Sequence, residues 1–180
     1  QEALAFVHGL IDAAGELGAP AIIGSMQGRH GPDATEARKR LAEALEQLGD
    51  RAAHHGQPLL YEPLNRYETN MANTLAQGVE LLELAGNPNV LLLADLFHMG
   101  IEEDDSAAAL RAAGPRVGHV HFVDSNRKPA GFGQMAYAPI ADALRAIGYD
   151  RYLSAEAFPF PDPERAAART IETFRRHFPR

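Results

Sequence analysis

Four side chains able to ligate a metal ion stand at the ends of apolar runs. Leu59-Leu60-Tyr61 runs into Glu62, Leu91-Leu92-Leu93-Ala94 into Asp95, Val117-Gly118-His119-Val120 into His121, and Tyr152-Leu153-Ser154-Ala155 into Glu156. Taken singly, each has a plain explanation. A carboxylate after an apolar run marks where the chain re-enters water, and a single strand histidine is more often a hydrogen-bonded core residue. Four in consecutive units point instead to one shared site, because parallel α/β sheets and barrels carry their ligand sites at the C-terminal strand ends. Three oxygens and one nitrogen suit one hard or borderline divalent cation, Mn2+, Mg2+ or Co2+, in an octahedral site with two open positions. A structural zinc site would be closed, tetrahedral and usually sulfur-rich. Open positions accept substrate oxygens, as Lewis-acid catalysis needs.

The elements that must position these residues alternate along the chain. Residues 2–17 read as a helix, with Leu4, Val7, Ile11 and Ala14 on one face and Pro20 beyond it. Ala21–Met26 reads as a strand. Asp33 and Glu36 make a capping box ahead of a helix with the stripe Leu41, Leu45, Leu48, Ala52. The same pattern then repeats. Pro58–Glu62 is a predicted strand, Thr74 and Gln77 a second capping box, and Gly86 a C′ glycine. Val90–Asp95 is a strand, followed by a helix over Asp105–Ala113. Val117–Phe122 is a strand, followed by a helix with Pro139 at its first position. Tyr152–Glu156 is the last predicted strand, and Asp162-Pro163 opens the last helix through Ile171 and Phe174. Five strand–helix units follow one helix with no strand of its own, and no Pro/Gly/Ser linker divides them. The expectation is a single α/β domain over residues 1–180 with a parallel sheet.

Composition narrows the partners. The 180 residues are 46% hydrophobic and 23% charged, which is the balance of a soluble globular domain. The absence of cysteine excludes disulfide scaffolds, zinc ribbons and thiol catalysis. A net charge of −7, from 17 basic and 24 acidic residues, lacks the cationic surface that nucleic acid rewards, so no nucleic-acid partner is expected. No apolar run reaches the ~18 residues of a membrane span, so no membrane partner is expected. Gln1–Leu10 carries no basic n-region, and the expected compartment is the cytoplasm.

Four longer motifs carry a resemblance: Tyr61-Glu62-Pro63-Leu64-Asn65-Arg66-Tyr67-Glu68-Thr69; Asp95-Leu96-Phe97-His98-Met99 with Ile101-Glu102-Glu103; Gly118-His119-Val120-His121 through Ser125-Asn126-Arg127; and Ser154-Ala155-Glu156-Ala157-Phe158-Pro159. In order and spacing the chain resembles the ketose 3-epimerases, the D-tagatose and D-psicose 3-epimerases and their relatives among the xylose-isomerase-like TIM barrels. The resemblance implies that Glu62, Asp95, His121 and Glu156 are metal ligands, and that Glu62 and Glu156 are also the two catalytic carboxylates. It implies that Glu68, His98 and Arg127 hold substrate oxygens. The implied reaction is epimerisation at C3 of a ketose or keto-sugar acid. A divalent cation stabilises the enediolate, one glutamate removes the C3 proton, and the other returns a proton on the opposite face. His98 and Arg127 orient or polarise the C2 oxygen.

Against the family's eight βα units of ~250 residues, the five strands here correspond to the fourth through eighth, an incomplete barrel without its N-terminal part. Three explanations stay open: a fragment of a longer protein, completion by a second copy, and a rearranged core. A homo-oligomer is the expected assembly. Rival functions are an aldose–ketose isomerase of the hydroxypyruvate or sugar-phosphate type, a non-catalytic metal- or sugar-binding remnant, and, less favoured by the charge, an endonuclease of the same superfamily.

Other polar residues receive quieter readings. His54 and His55 are expected at a helix C-terminus, in a structural role. Arg29-His30 and Arg38-Lys39-Arg40 are expected to be loop and solvated helix charges. His119 is expected on the strand face opposite His121, in packing. Asp124 is undecided, and Phe132 between Gly131 and Gly133 reads as a mobile flap.

Overall fold

Short polar side chains start the helices, and apolar stripes bind them to the sheet. A computed structural model describes residues 2–178; residues 1, 179 and 180, part of the expected 1–180 domain, lie outside the described residues. In chain order the elements are α1 (Glu2–Glu16), β1 (Ala21–Ile23), α2 (Ala34–His54), β2 (Leu59–Tyr61), α3 (Leu75–Ala85), β3 (Val90–Asp95), α4 (Leu96–Glu102), α5 (Ser106–Ala113), β4 (Val117–His121), α6 (Tyr137–Ala146), β5 (Leu153–Ser154) and α7 (Pro163–His177). The five strands form one parallel sheet in the order β1-β2-β3-β4-β5, the α/β arrangement expected of a partial barrel. The chain divides into two compact units, Gln1–Leu93 and Ala94–Arg180.

In the first unit, Asp33 and Thr74 accept the N–H groups of Glu36 and Gln77, which caps α2 and α3. The Gln77 side chain reaches back one residue beyond the cap, to the Asn73 N–H at 2.7 Å. Gly86 adopts φ 68° and closes α3 in the left-handed conformation. Leu45, Leu48 and Ala52 of α2 are buried with Leu75 and Leu82 of α3. Each fully buried aliphatic chain contributes about 1.5–3 kcal/mol. β1 pairs with β2, and β2 with β3, in parallel, with Tyr61 opposite both Ile23 and Leu92. At Gly78 a Cβ would stand 2.8 Å from Leu92 Cδ2, so glycine lets α3 lie close on the sheet.

In the second unit, β4 pairs with β5 in parallel, with His121 opposite Ser154. Asp105 and Asp162 cap α5 and α7 by accepting from Ala108 and Arg165. Phe122 packs against Tyr137, Phe174 and Phe178, with ring centroids at 4.7, 6.2 and 6.0 Å.

The departures from the sequence reading are local. β1 stops at Ile23, because Ser25–Gln27 turn into a 3-10 helix. β5 pairs over two residues only, as suits a strand at the edge of the sheet order. α6 begins at Tyr137, so Pro139 sits inside the first turn, where no N–H is required of it. α4 was not predicted; Asp95 ends β3 and caps α4 at once, accepting from Phe97 and His98 N–H.

Candidate active site

The chemistry of the second unit gathers around Asp95. Its side chain is entirely buried. Oδ1 accepts the Phe97 and His98 N–H groups at 2.8 and 3.2 Å, which fixes the carboxylate across the strand–helix junction. Oδ2 lies 2.9 Å from His121 Nδ1 and 2.5 Å from Arg127 Nη1. Glu156 Oε2, on the chain just past β5, lies 2.7 Å from His121 Nδ1 and 2.8 Å from Arg127 Nη2. Arg127 thus bridges two carboxylates while its guanidinium lies 5.0 Å from the Phe97 ring centre. It does so from a left-handed backbone, φ 60°. Burial pushes the Asp95 carboxyl upward, but the hydrogen bond with His121 and the charges of Arg127, His98 and His121 outweigh it and hold it below the usual carboxylate range.

One donor atom from each of Asp95, His121 and Glu156 lies within 4.8 Å of the others. One ring nitrogen carries at most one proton. It cannot fully satisfy two carboxylate oxygens, so this crowding of acceptors suits a cation better than a proton. These three make up a carboxylate–imidazole group that could hold a metal ion. The oxygen-rich donor set fits a divalent cation of the hard or borderline kind.

In the first unit, Glu62 follows β2 and is 6% exposed. Its N–H donates to Ile23 O at 3.0 Å and its carbonyl accepts from Gln27 Nε2 at 2.9 Å. Tyr61 donates its hydroxyl to Gln27 Oε1 at 2.5 Å; burial pushes that hydroxyl pKa up, so it stays a donor. Gly24 leaves room for the Glu62 carboxylate: a Cβ there would meet Oε2 at 2.7 Å. Gln27 is therefore a support for Glu62 that the sequence reading did not single out. Only its position just after β1 could have signalled the role. Glu68 is exposed and accepts from Asn65 Nδ2 at 2.9 Å. His98 is buried on α4 directly after Asp95.

Of the quieter expectations, two change and the structural role of His55 gains a partner. His119 does not face away from His121. Residues two apart in a strand share a face, and the two imidazoles meet edge-on with centroids 5.5 Å apart while His119 Nε2 lies 2.7 Å from Ser154 Oγ. Burial, then the neighbouring His121, lower the His119 pKa. His55 does more than end a helix: with Arg51 it grips Asp12 of α1. The segment around Phe132 is tied down, with Phe132 edge-on to Phe160 at 5.7 Å and its carbonyl accepting from Asn126 Nδ2 at 3.0 Å.

Known proteins resemble this chain in sequence and fold. The profile of the Xylose isomerase-like TIM barrel family matches residues 1–177. An L-ribulose 3-epimerase of Mesorhizobium japonicum is 37% identical over 147 residues, 79% of this chain and 50% of that protein. A D-psicose 3-epimerase of Agrobacterium fabrum is 41% identical over 119 residues, 66% of this chain and 41% of that protein. Among solved structures, a D-allulose 3-epimerase from Methylomonas sp. in complex with D-allulose superposes with a TM-score of 0.90 at 29% identity, covering 98% of this chain and 69% of that one. The chain spans about half the length of the curated relatives it matches. The chain belongs to the xylose isomerase-like TIM barrel family.

Proposed function

We propose that the chain carries the centre of a divalent-metal-dependent ketose 3-epimerase, acting at C3 of a ketose or keto-sugar acid in the cytoplasm. The observation that carries this reading is the convergence of Asp95, His121, Glu156 and Arg127 around one point. In the proposal Glu62 is the fourth ligand, and Mn2+ is the ion named first. Strand register supports the fourth ligand. Tyr61 pairs with Leu92, so Glu62 falls opposite Leu93, and Asp95 is two residues further on. By the same count Glu156 lies two residues past Ser154, the partner of His121. Side chains an even number of residues apart share a sheet face, so each pair of ligands points the same way.

A divalent cation held there supplies Lewis acidity to the ketose oxygens. This chain's own groups do the rest. Glu156, half exposed and held through Oε2, takes or returns the C3 proton on one face. Glu62 serves the other face. Arg127 and His98 orient the C2 oxygen, and Glu68 holds a hydroxyl. The similarity to L-ribulose and D-psicose 3-epimerases supports the ketose as substrate.

The test is solvent deuterium uptake at C3 of D-psicose or L-ribulose with Mn2+ present. The wild-type chain should incorporate deuterium, and Glu156→Gln should lose at least about 100-fold of that rate, the low end for removing a general acid–base group. Undiminished exchange in Glu156→Gln would overturn the assignment.

The proposal also has copies of the chain associate. Exposed apolar side chains support it: Phe6, Leu17 and Ile22 in the first unit, Tyr152 and Phe158 in the second. A monomer mass by light scattering across the micromolar range would remove that part alone.

A further inference from the structure

Asp124 has no role in the chemistry described so far, yet it is 1% exposed. It stands three residues beyond His121. A carboxylate so far from water must be met by donors or it is costly. Here the donors are mostly backbone. Oδ1 accepts the N–H groups of Ser125 and Met135 at 2.9 and 3.0 Å and lies 3.4 Å from Ser125 Oγ. Oδ2 accepts the Gly131 N–H at 2.8 Å. Burial pushes its pKa upward, but these N–H groups and that of Gly133 outweigh burial and hold it below the usual carboxylate range. The anion is therefore the form the loop is folded around.

That loop carries Arg127. The Asp124 carbonyl accepts the Arg127 N–H at 3.0 Å, and the Asp124 N–H donates to Lys128 O at 3.0 Å, so the turn 124–128 closes on the same residue. Arg127 sits at its tip at φ 60°, a conformation an arginine keeps only where its surroundings over-determine it. Beyond the tip, the Phe158 N–H donates to Arg127 O at 2.8 Å, tying the turn to the segment that bears Glu156. The far side is fixed by α7: Thr173 Oγ1 donates to Ala130 O at 2.8 Å and Arg169 Nη2 to Gly131 O at 3.0 Å. Glycine is required for the closure, since a Cβ at Gly133 would stand 2.1 Å from Asp124 Oδ1.

We propose that Asp124 is a positioning residue whose buried carboxylate folds the 124–135 loop so that Arg127 meets Asp95 and Glu156. Its bearing on catalysis rests on the epimerase reading; its control of Arg127 does not.

Two substitutions reach the carboxylate from different sides. Asp124→Asn removes an acceptor and turns an amide toward backbone N–H groups, and Gly133→Ala displaces the carboxylate while leaving it intact. Both are made in the full chain, along with Arg127→Ala and the double variant Asp124→Asn/Arg127→Ala. Mn2+ is titrated into each by calorimetry, and tryptic cleavage after Arg127 is timed by mass spectrometry.

A guanidinium held against two ligand carboxylates opposes a second cation, so Arg127→Ala should tighten Mn2+ binding by roughly tenfold. If Asp124 sets Arg127, then Asp124→Asn and Gly133→Ala should tighten it in the same direction, and Asp124→Asn should add nothing once Arg127 is alanine. A residue with only a structural role would weaken Mn2+ binding, or leave it as it was, in both backgrounds; that result overturns the proposal. Cleavage after Arg127 should quicken in both single variants that disturb the carboxylate, and an unchanged rate overturns the proposal even if the chain binds no Mn2+. Failure of Mn2+ to bind the wild-type chain would defeat the metal reading alone, with the cleavage rates still deciding the role of Asp124.

Discussion

Two aspartates in this molecule are held by the same pair of residue types at nearly the same distances. Asp12 on α1 takes Arg51 of α2 through both oxygens at 2.6 Å and His55 Nε2 at 2.9 Å. Asp95 at the end of β3 takes Arg127 at 2.5 Å and His121 at 2.9 Å. The first is a clamp between two helices, with the Asp12 side chain 32% exposed; the second is at the candidate centre, with the Asp95 side chain fully buried. What separates them is charge balance and placement. At Asp12 one carboxylate faces one guanidinium, and the pair is complete. At Asp95 a second carboxylate, Glu156, shares the same guanidinium and imidazole. Carboxylate charge then exceeds guanidinium charge beside a fully buried Asp95, and that excess invites a cation. A constellation of residue types does not make a site. Strand ends make one when they deliver more charge than the protein neutralises.

The sharpest way to break this comparison is to neutralise each aspartate and titrate Mn2+. Asp95→Asn should weaken binding by about 100-fold or more, in line with losses at metal-site residues. Asp12→Asn should leave the affinity unchanged. Comparable losses in both variants would mean that Asp95 acts through stability, as Asp12 does, and the distinction would collapse.

The same contrast explains what could be read from the sequence. Glu62, Asp95, His121 and Glu156 were legible because each follows an apolar run, although β2 stops at Tyr61 and β5 at Ser154, short of the expected ends; β3 was bounded correctly at both ends because Val90–Asp95 is buried almost throughout. Caps at Asp33 and Thr74 were legible because a side chain announces them, and Asp105 and Asp162 marked the starts of the helices they cap. α4 was hidden because its cap, Asp95, was already spent as the end of a strand. His119 was misplaced by a miscounted strand period: two residues on is the same face. Asp124 stayed undecided because its partners are backbone N–H groups, which no residue type betrays. The Asp12 clamp was invisible because its members lie 39 and 43 residues apart on helices whose facing residues no local pattern names.

A smaller effect sharpens the comparison from the clamp's side. Hydrogen bonds from Arg51 and then His55 hold the Asp12 carboxyl well below its ordinary 3.8. A carboxylate lowered on folding lends stability that is fully present above its unfolded pKa and disappears as pH falls toward the folded one. Wild type and Asp12→Asn should therefore differ in urea midpoint at neutral pH and converge as pH is taken below about 4, the unfolded carboxylate range. The gap at neutral pH should be modest, because exposed ion pairs are screened by water and salt. Asp95 is also held low, but there burial opposes the partners, so its loss is not a simple subtraction of an ion pair. By the same rule the charge-dependent part of its contribution is present at neutral pH and fades in acid; Asp95→Asn leaves Arg127 and His121 facing a neutral amide in a buried site, so its gap from wild type at neutral pH should exceed that of Asp12→Asn. A neutral-pH gap for Asp95→Asn no larger than that for Asp12→Asn would show that Asp95, too, is only a clamp.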